Sequence, residues 1–246
     1  MGLYDRIAVR SERSEILSHA GHAVRLSLQH IKGATAVGRS RFFAEYMNAN
    51  SVRKLQLGSG PKVLDGWLNT DCRLGFPSKG FLDVTQRFPM EDETFDYAFS
   101  EHLIEHLTYL QGLAMLRECH RVLKPGGTIR VACPDLRIIV GLCAPEKTEA
   151  QRCYIKSMVD AWLPDIGAYS EAFVINNAVR NWGHKFLYDE ETLTAALSSA
   201  GFTEARRFLP CESDDPNLER LETPRLEDEA KFFETLVIQA TKPKRP

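Results

Sequence analysis

Several things are scarce in this sequence, and each scarcity excludes something. None of the six cysteines (Cys72, Cys119, Cys133, Cys143, Cys153, Cys211) sits in a Cys-x-x-Cys pair. That argues against a structural zinc site and against a disulfide scaffold. Small buried hydrophobes are their expected role, no metal is expected, and a reducing cytoplasm is the expected compartment. Long apolar runs are missing too. Runs such as Ile138–Val140 and Leu236–Ile238 are far shorter than the roughly 18 residues a spanning helix needs. Charges occupy Met1–Arg10, where a signal peptide would be apolar, so no secretion is expected. Gly2 opens a myristoylation pattern that fails at Arg6. Net charge is only −2, and 43% of residues are apolar, which excludes bulk disorder. With 246 residues and no internal repeat, the chain reads as one large domain, or one domain with an appendage.

The charge is uneven. Residues 1–54 carry nine basic and four acidic residues, whereas residues 212–231 carry eight acidic and three basic ones. A basic arm can be a phosphate footprint. The interspersed acids instead favour a solvated helix face, and nucleic acid is not the expected partner.

Periodicity gives a helix over 11–31, through Ile16, Ala20, Val24, Leu28 and Ile31, and a second over Arg39–Met47. Strands are expected at Lys54–Leu57, Trp67–Thr70, Phe81–Val84, Thr94–Ser100 and Thr128–Cys133. One helix is expected from His102 to Leu123, stopped by Lys124-Pro125-Gly126-Gly127. Residues 141–183 look like a helical insertion. Asp189–Ala200 is a helix closed by Gly201, and Phe202–Leu209 and Glu234–Ala240 are final strands joined by the acidic loop. Alternating strands and helices imply a mostly parallel sheet, whose ligands bind beyond the carboxyl ends of the strands.

The residues just after each strand are therefore the candidates. Leu57-Gly58-Ser59-Gly60 lets the backbone turn sharply and approach a ligand. A dinucleotide fingerprint would need a third glycine at position 63, which is Val63. Asp71 ends the second strand, where an acid can hold a ribose. Asp83 follows the third strand. Ser100-Glu101-His102-Leu103-Ile104-Glu105-His106 follows the fourth, and Arg121-Val122-Leu123-Lys124-Pro125-Gly126-Gly127 leads into the fifth.

In that order the motifs resemble the class I S-adenosylmethionine-dependent methyltransferases, and most of all the type 11 group. The signature of that group reads here as Phe95-Asp96-Tyr97-Ala98-Phe99-Ser100, then Glu105-His106, then Arg121 to Gly127. The resemblance is strongest over residues 53–136, with a weaker block from Gly183-His184 to Gly201-Phe202. It implies a Rossmann-like α/β fold with a seven-stranded sheet of order 3-2-1-4-5-7-6. It also implies an S-adenosylmethionine site. Gly58, Ser59 and Gly60 would flank the methionine part, and Asp71 would hold the ribose. Asp83 and Val84 would meet the adenine, while Ser100 and His102 would line the methyl end.

One departure stands out. Only ten residues separate Gly60 from Asp71, too few for the usual crossover helix. Gly66-Trp67-Leu68-Asn69-Thr70-Asp71 matches relatives that share the shortened crossover. The N-terminal helices are expected to cover the sheet face left bare, or else a second copy of the chain in a homodimer. An oxygen acceptor needs a proton removed, and His102, Asp135 and His184 are the candidate bases; His106 is expected as a buried hydrogen-bonding residue. The expectation is a helical cap (1–50) on a methyltransferase domain (51–246) with a lid at 141–183. The acceptor is expected to be a small molecule, either a natural product or sugar-like. RNA methylation through the basic arm, and cofactor binding without turnover, are the alternatives.

Overall fold

A computed structural model of the chain describes residues 36–72, 80–222 and 229–245. The helix expected over 11–31 lies outside these. Seven strands form one sheet: β1 Lys54–Leu57, β2 Leu68–Asp71, β3 Gly80–Phe81, β4 Phe95–Glu101, β5 Leu123–Pro134, β6 Thr203–Phe208 and β7 Thr235–Thr241. Their order is 3-2-1-4-5-7-6, as the resemblance implies. β1 to β5 run parallel, and β7 is antiparallel to both β5 and β6.

Side chains alternate across the pleat. Leu55, Leu57, Ala98, Ile129, Val131, Cys133, Ile238 and Ala240 belong to the main core. Helix α2 (Tyr109–Val122) closes it with Met115, Leu116, Cys119 and Val122, and helix α6 (Glu190–Ser199) with Leu193, Ala196 and Leu197. Helix α1 (Ala36–Ala49) joins the same core through Phe43. Any side chain on Gly80 would collide with Phe43, and the Tyr46 hydroxyl accepts the Lys54 N–H at 2.7 Å.

The single helix expected over 102–123 is two elements. A 3-10 turn spans Ile104–His106, Leu107 is extended (φ −101°, ψ 149°), and α2 starts afresh. The break is local chemistry. Thr108 and Gln111 form a capping box, each side chain meeting the other's backbone N–H. The Lys-Pro-Gly-Gly segment also differs from expectation. It lies within β5 as an irregularity opposite Asp96, whose carboxylate accepts from Lys124 Nζ at 2.8 Å.

The second face of the sheet presents Gln56, Tyr97, Phe99, Arg130 and Gln239. No helix forms between β1 and β2. Among the described residues, the connection from β6 to β7 covers it, while the N-terminal helix expected to do so over 11–31 lies outside those residues. Leu218 and Leu221 pack with Trp67 and Phe99 in a separate cluster. The Tyr97 hydroxyl donates to Asp215 at 2.7 Å, and Gln239 Nε2 donates to the Ser213 hydroxyl at 2.9 Å. Arg130, wholly buried, makes a two-pronged ion pair with Glu222 (2.6 and 2.7 Å) and donates to the Glu212 carbonyl at 2.9 Å. From the short crossover, Lys62 reaches the Leu221 carbonyl and, at 3.3 Å, Glu101. One acid of the 212–222 stretch, Glu222, thus anchors a buried cation.

After β5 comes the insertion: α3 Leu136–Gly141, α4 Glu149–Trp162, a 3-10 turn Pro164–Ile166 and α5 Glu171–Arg180. It has its own small core of Leu142, Tyr154, Ile155, Met158, Val159 and Val174. The Tyr154 hydroxyl meets the Glu234 carboxylate at the end of α7 (Glu229–Glu234). Among the described residues, no helix is long and apolar enough to cross a membrane.

Candidate active site

The carboxyl ends of β1, β2 and β4 converge on one edge. Gly58 (φ 61°) and Gly60 (φ 53°) both take the left-handed conformation. A methyl on Gly58 would lie 2.8 Å from the Leu103 side chain, whereas one on Gly60 would meet nothing within 4 Å. The loop is thus tight on one side and open on the other. Asp71 Oδ2 accepts the Gly60 N–H at 2.8 Å, and the Ser59 N–H donates to the Thr70 carbonyl at 2.9 Å. Asp83 Oδ1 accepts from the N–H (2.9 Å) and the hydroxyl (2.7 Å) of Thr85, which shapes the turn after β3. Val84 is buried in the main core. Ser59 and Ser100 are buried with unpartnered hydroxyls. Open space at Gly60, two unpartnered hydroxyls and a carboxylate at the end of β2 fit the cofactor that the resemblance implies.

Beyond β4 the chain turns through His102, itself left-handed at φ 47°. Its Nδ1 lies 3.1 Å from Glu105 Oε1. Glu105 is fully buried, and its Oε2 has no partner. Burial pushes this carboxyl upward, but the hydrogen bond and charge of His102, with His106 beyond, outweigh that and hold it below the usual carboxylate range. The Glu105 carbonyl also accepts two backbone N–H bonds, from Lys185 (2.7 Å) and Phe186 (3.2 Å). That pins a segment some eighty residues away in sequence. It brings His184 against His106, ring to ring at 4.9 Å. His184 Nδ1 lies 2.7 Å from the Ala178 carbonyl, at the end of α5. Burial lowers its pKa, and the nearby Glu105 charge only partly opposes that.

The three candidate bases are placed differently. His102 and His184 flank Glu105. Asp135 does not join them. It caps α3, accepting the Arg137 N–H at 2.9 Å, and its other oxygen pairs with Arg207 at 3.1 Å. His106 is half-buried and stacks on His184, and the structure gives its ring no hydrogen bond. The sequence reading missed Glu105 as a site residue. Its signal was the His-x-x-Glu spacing over 102–105, which puts the two side chains one turn apart. Lys62 and Glu101 were missed because their pairing depends on the bare crossover. From the insertion, Trp162 packs on Trp182 (5.2 Å), which packs on His184 (5.5 Å), and both tryptophans are exposed at their edges.

Two surface crevices of about 150 and 200 Å³ lie at the opposite, amino-terminal end of β4 and β5, lined among others by Tyr97, Thr128 and Asp215. They are open and polar, smaller than the roughly 300–1,000 Å³ usual for ligand pockets. They are seams where the β6–β7 connection crosses the sheet.

Residues 79–131 match the family model of the methyltransferase domain, type 11. No curated protein matches the sequence. Solved structures of similar fold include a putative methyltransferase from Haloferax volcanii in complex with the Trm112 activator. It is 16% identical, with 87% of this chain and 94% of that one covered and a TM-score of 0.43. A S-adenosylmethionine-dependent methyltransferase from Archaeoglobus fulgidus is 14% identical, with the same coverages and a TM-score of 0.46. A possible histamine N-methyltransferase from Thermotoga maritima is 18% identical, covered over 87% and 99%, with a TM-score of 0.40. The sheet has the strand order of the class I methyltransferase fold, and residues 79–131 within it match a methyltransferase-domain model. Within that class, the matched segment is of type 11.

Proposed function

We propose that the protein transfers the methyl group of S-adenosylmethionine to an oxygen or nitrogen of a small, natural-product or sugar-like acceptor. The observation that carries this reading is the His102–Glu105 pair, next to the Gly58–Gly60 loop and beside the helical insertion. Bound S-adenosylmethionine supplies an electrophilic methyl on a sulfonium. The backbone of Gly58, Ser59 and Gly60 would hold its methionine part, Asp71 the ribose, and Asp83 with Val84 the adenine. Ser100 and His102 would line the methyl end.

His102 would accept the proton of the acceptor. With its Nδ1–H given to Glu105, the lone pair sits on Nε2, which is buried and unpartnered. A carboxylate that fixes tautomer and ring orientation is the arrangement that makes imidazole a base. Asp135, both oxygens engaged, would act as a positioning residue for the start of the insertion. The Trp162–Trp182 pair offers flat apolar faces, which suit a sugar ring or an apolar natural product.

Calorimetry tests the cofactor half. Wild type should bind S-adenosylmethionine in the micromolar range, and Asp71→Ala should lose about 1–3 kcal/mol. His102→Gln should keep that affinity while losing about 10²–10⁴-fold in turnover. Absence of binding by folded wild-type protein would overturn the reading.

A further inference from the structure

We infer that Glu105, His106 and His184 form a binding site for a divalent cation of the zinc type. The expectation of no metal rested on cysteine spacing. The fold assembles a different donor set. One ligand atom from each of the three residues lies within 4.8 Å of the other two. Tetrahedral ligands at 2.0–2.1 Å from zinc stand about 3.3 Å apart, so closure needs movements of about 1.5 Å. His184 is held by the Ala178 carbonyl, so the half-buried His106 ring, which makes no hydrogen bond, is the ligand that would move.

Three features show a site built for a cation. Glu105 is a fully buried carboxyl group, and its Oε2 has no hydrogen-bond partner. A buried carboxyl oxygen left without a partner is destabilising, and a bound cation supplies the missing partner. The ligands are also oriented from behind. His184 gives its Nδ1 proton to the Ala178 carbonyl, which leaves Nε2 as the donor atom, and Glu105 Oε1 is held by His102. Outer contacts of this kind fix metal-binding imidazoles and carboxylates elsewhere. Finally, the backbone delivers His184 by an unusual turn. Trp182 (φ 58°) and Gly183 (φ 79°) are consecutive left-handed residues, and the next two residues but one are tied to the Glu105 carbonyl. A side chain at Gly183 would point to within 3.8 Å of His106 Nδ1.

Two imidazoles and one carboxylate select a borderline first-row ion over magnesium or calcium, which prefer all-oxygen shells. Three protein ligands leave a coordination position open, as in reactive rather than structural zinc sites. The inference does not depend on the acceptor or on methyl transfer.

The test uses the full chain, freed of metal with a chelator and titrated with zinc chloride by calorimetry. Cobalt(II) absorption gives a second reading of the coordination geometry. Wild type should take up one ion per chain, with a visible cobalt band of four- or five-coordinate intensity. His106→Gln and His184→Gln should each weaken zinc binding at least tenfold and bleach the band. His120→Gln, which removes an imidazole packed on Phe202 elsewhere, should change neither. Circular dichroism confirms that each variant is folded. Zinc uptake by folded wild type that persists unchanged in the His106→Gln, His184→Gln double variant overturns the site, as does no uptake at all. S-adenosylmethionine binding, measured on the same samples, reports separately on the methyltransferase reading.

Discussion

Arg130 is among the largest fully buried side chains of the described residues. It sits in a central strand, wholly buried, with its guanidinium fully committed to Glu222 and the Glu212 carbonyl. Glu222 in turn accepts the Cys211 N–H at 2.8 Å. Arg130→Met leaves that carboxylate buried without a counter-charge, and should cost about 3–5 kcal/mol in urea unfolding. Replacing both partners, Arg130→Met with Glu222→Met, should recover most of the loss, because neither charge is then stranded. Half of this arrangement was legible. Ile129, Val131 and Cys133 alternate as core residues, which puts Arg130 on the opposite face of the strand. Its partner lies 92 residues further on, and no local pattern connects the two. Glu105 gave a similar half-signal. Its spacing to His102 was visible, but its juxtaposition with His184 depends on backbone pairing with Lys185 and Phe186.

At the scale of elements, the strands followed from alternation, and their order from the resemblance to the class I methyltransferases. Boundaries were lost where side-chain capping competed with apolar periodicity. Leu103, Leu107 and Leu110 continue the helical spacing across residues 102–110, which hides the break that Thr108 imposes. Thr108→Ala removes the side-chain acceptor of the Gln111 N–H, while the backbone N–H of residue 108 can still donate to Gln111, and should lower stability by about 0.5–2 kcal/mol, read from the urea midpoint at constant slope. The absent crossover helix was legible from ten residues of spacing. What replaces it was not. Leu218 and Leu221 are the only strongly apolar residues in 212–222, and the acidic composition around them reads as a solvated loop.

For the whole molecule, acid is the informative stress. Glu118 on α2 accepts from Arg121 (2.6 and 3.0 Å) and from the Phe88 N–H (2.7 Å), tying α2 to the segment before β4. The Arg121 hydrogen bond, more than any other influence, holds this carboxyl below its usual range, against a smaller opposing effect of burial. A carboxyl whose folded pKa is depressed stabilises fully above its unfolded pKa of about 4.3, and that contribution is lost as pH falls through the folded value. Glu118→Gln should therefore be less stable than wild type by about 1–3 kcal/mol at neutral pH. The gap should narrow steadily below about pH 4, and stability curves measured from neutral to acid pH would show it.

The covering of the second sheet face has a consequence in time. Lys62 meets Leu221 across 159 residues, and Tyr97 meets Asp215 across 118. A chain emerging from the ribosome has made β1 to β5 long before the segment that shields Trp67 and Phe99 exists. Among the described residues, the leucines that pack on those aromatic rings come only with the last tenth or so of the polypeptide. Closing such a long loop is entropically slow, so the nascent protein passes through a window in which it depends on chaperones or dilution to avoid sticking to its neighbours.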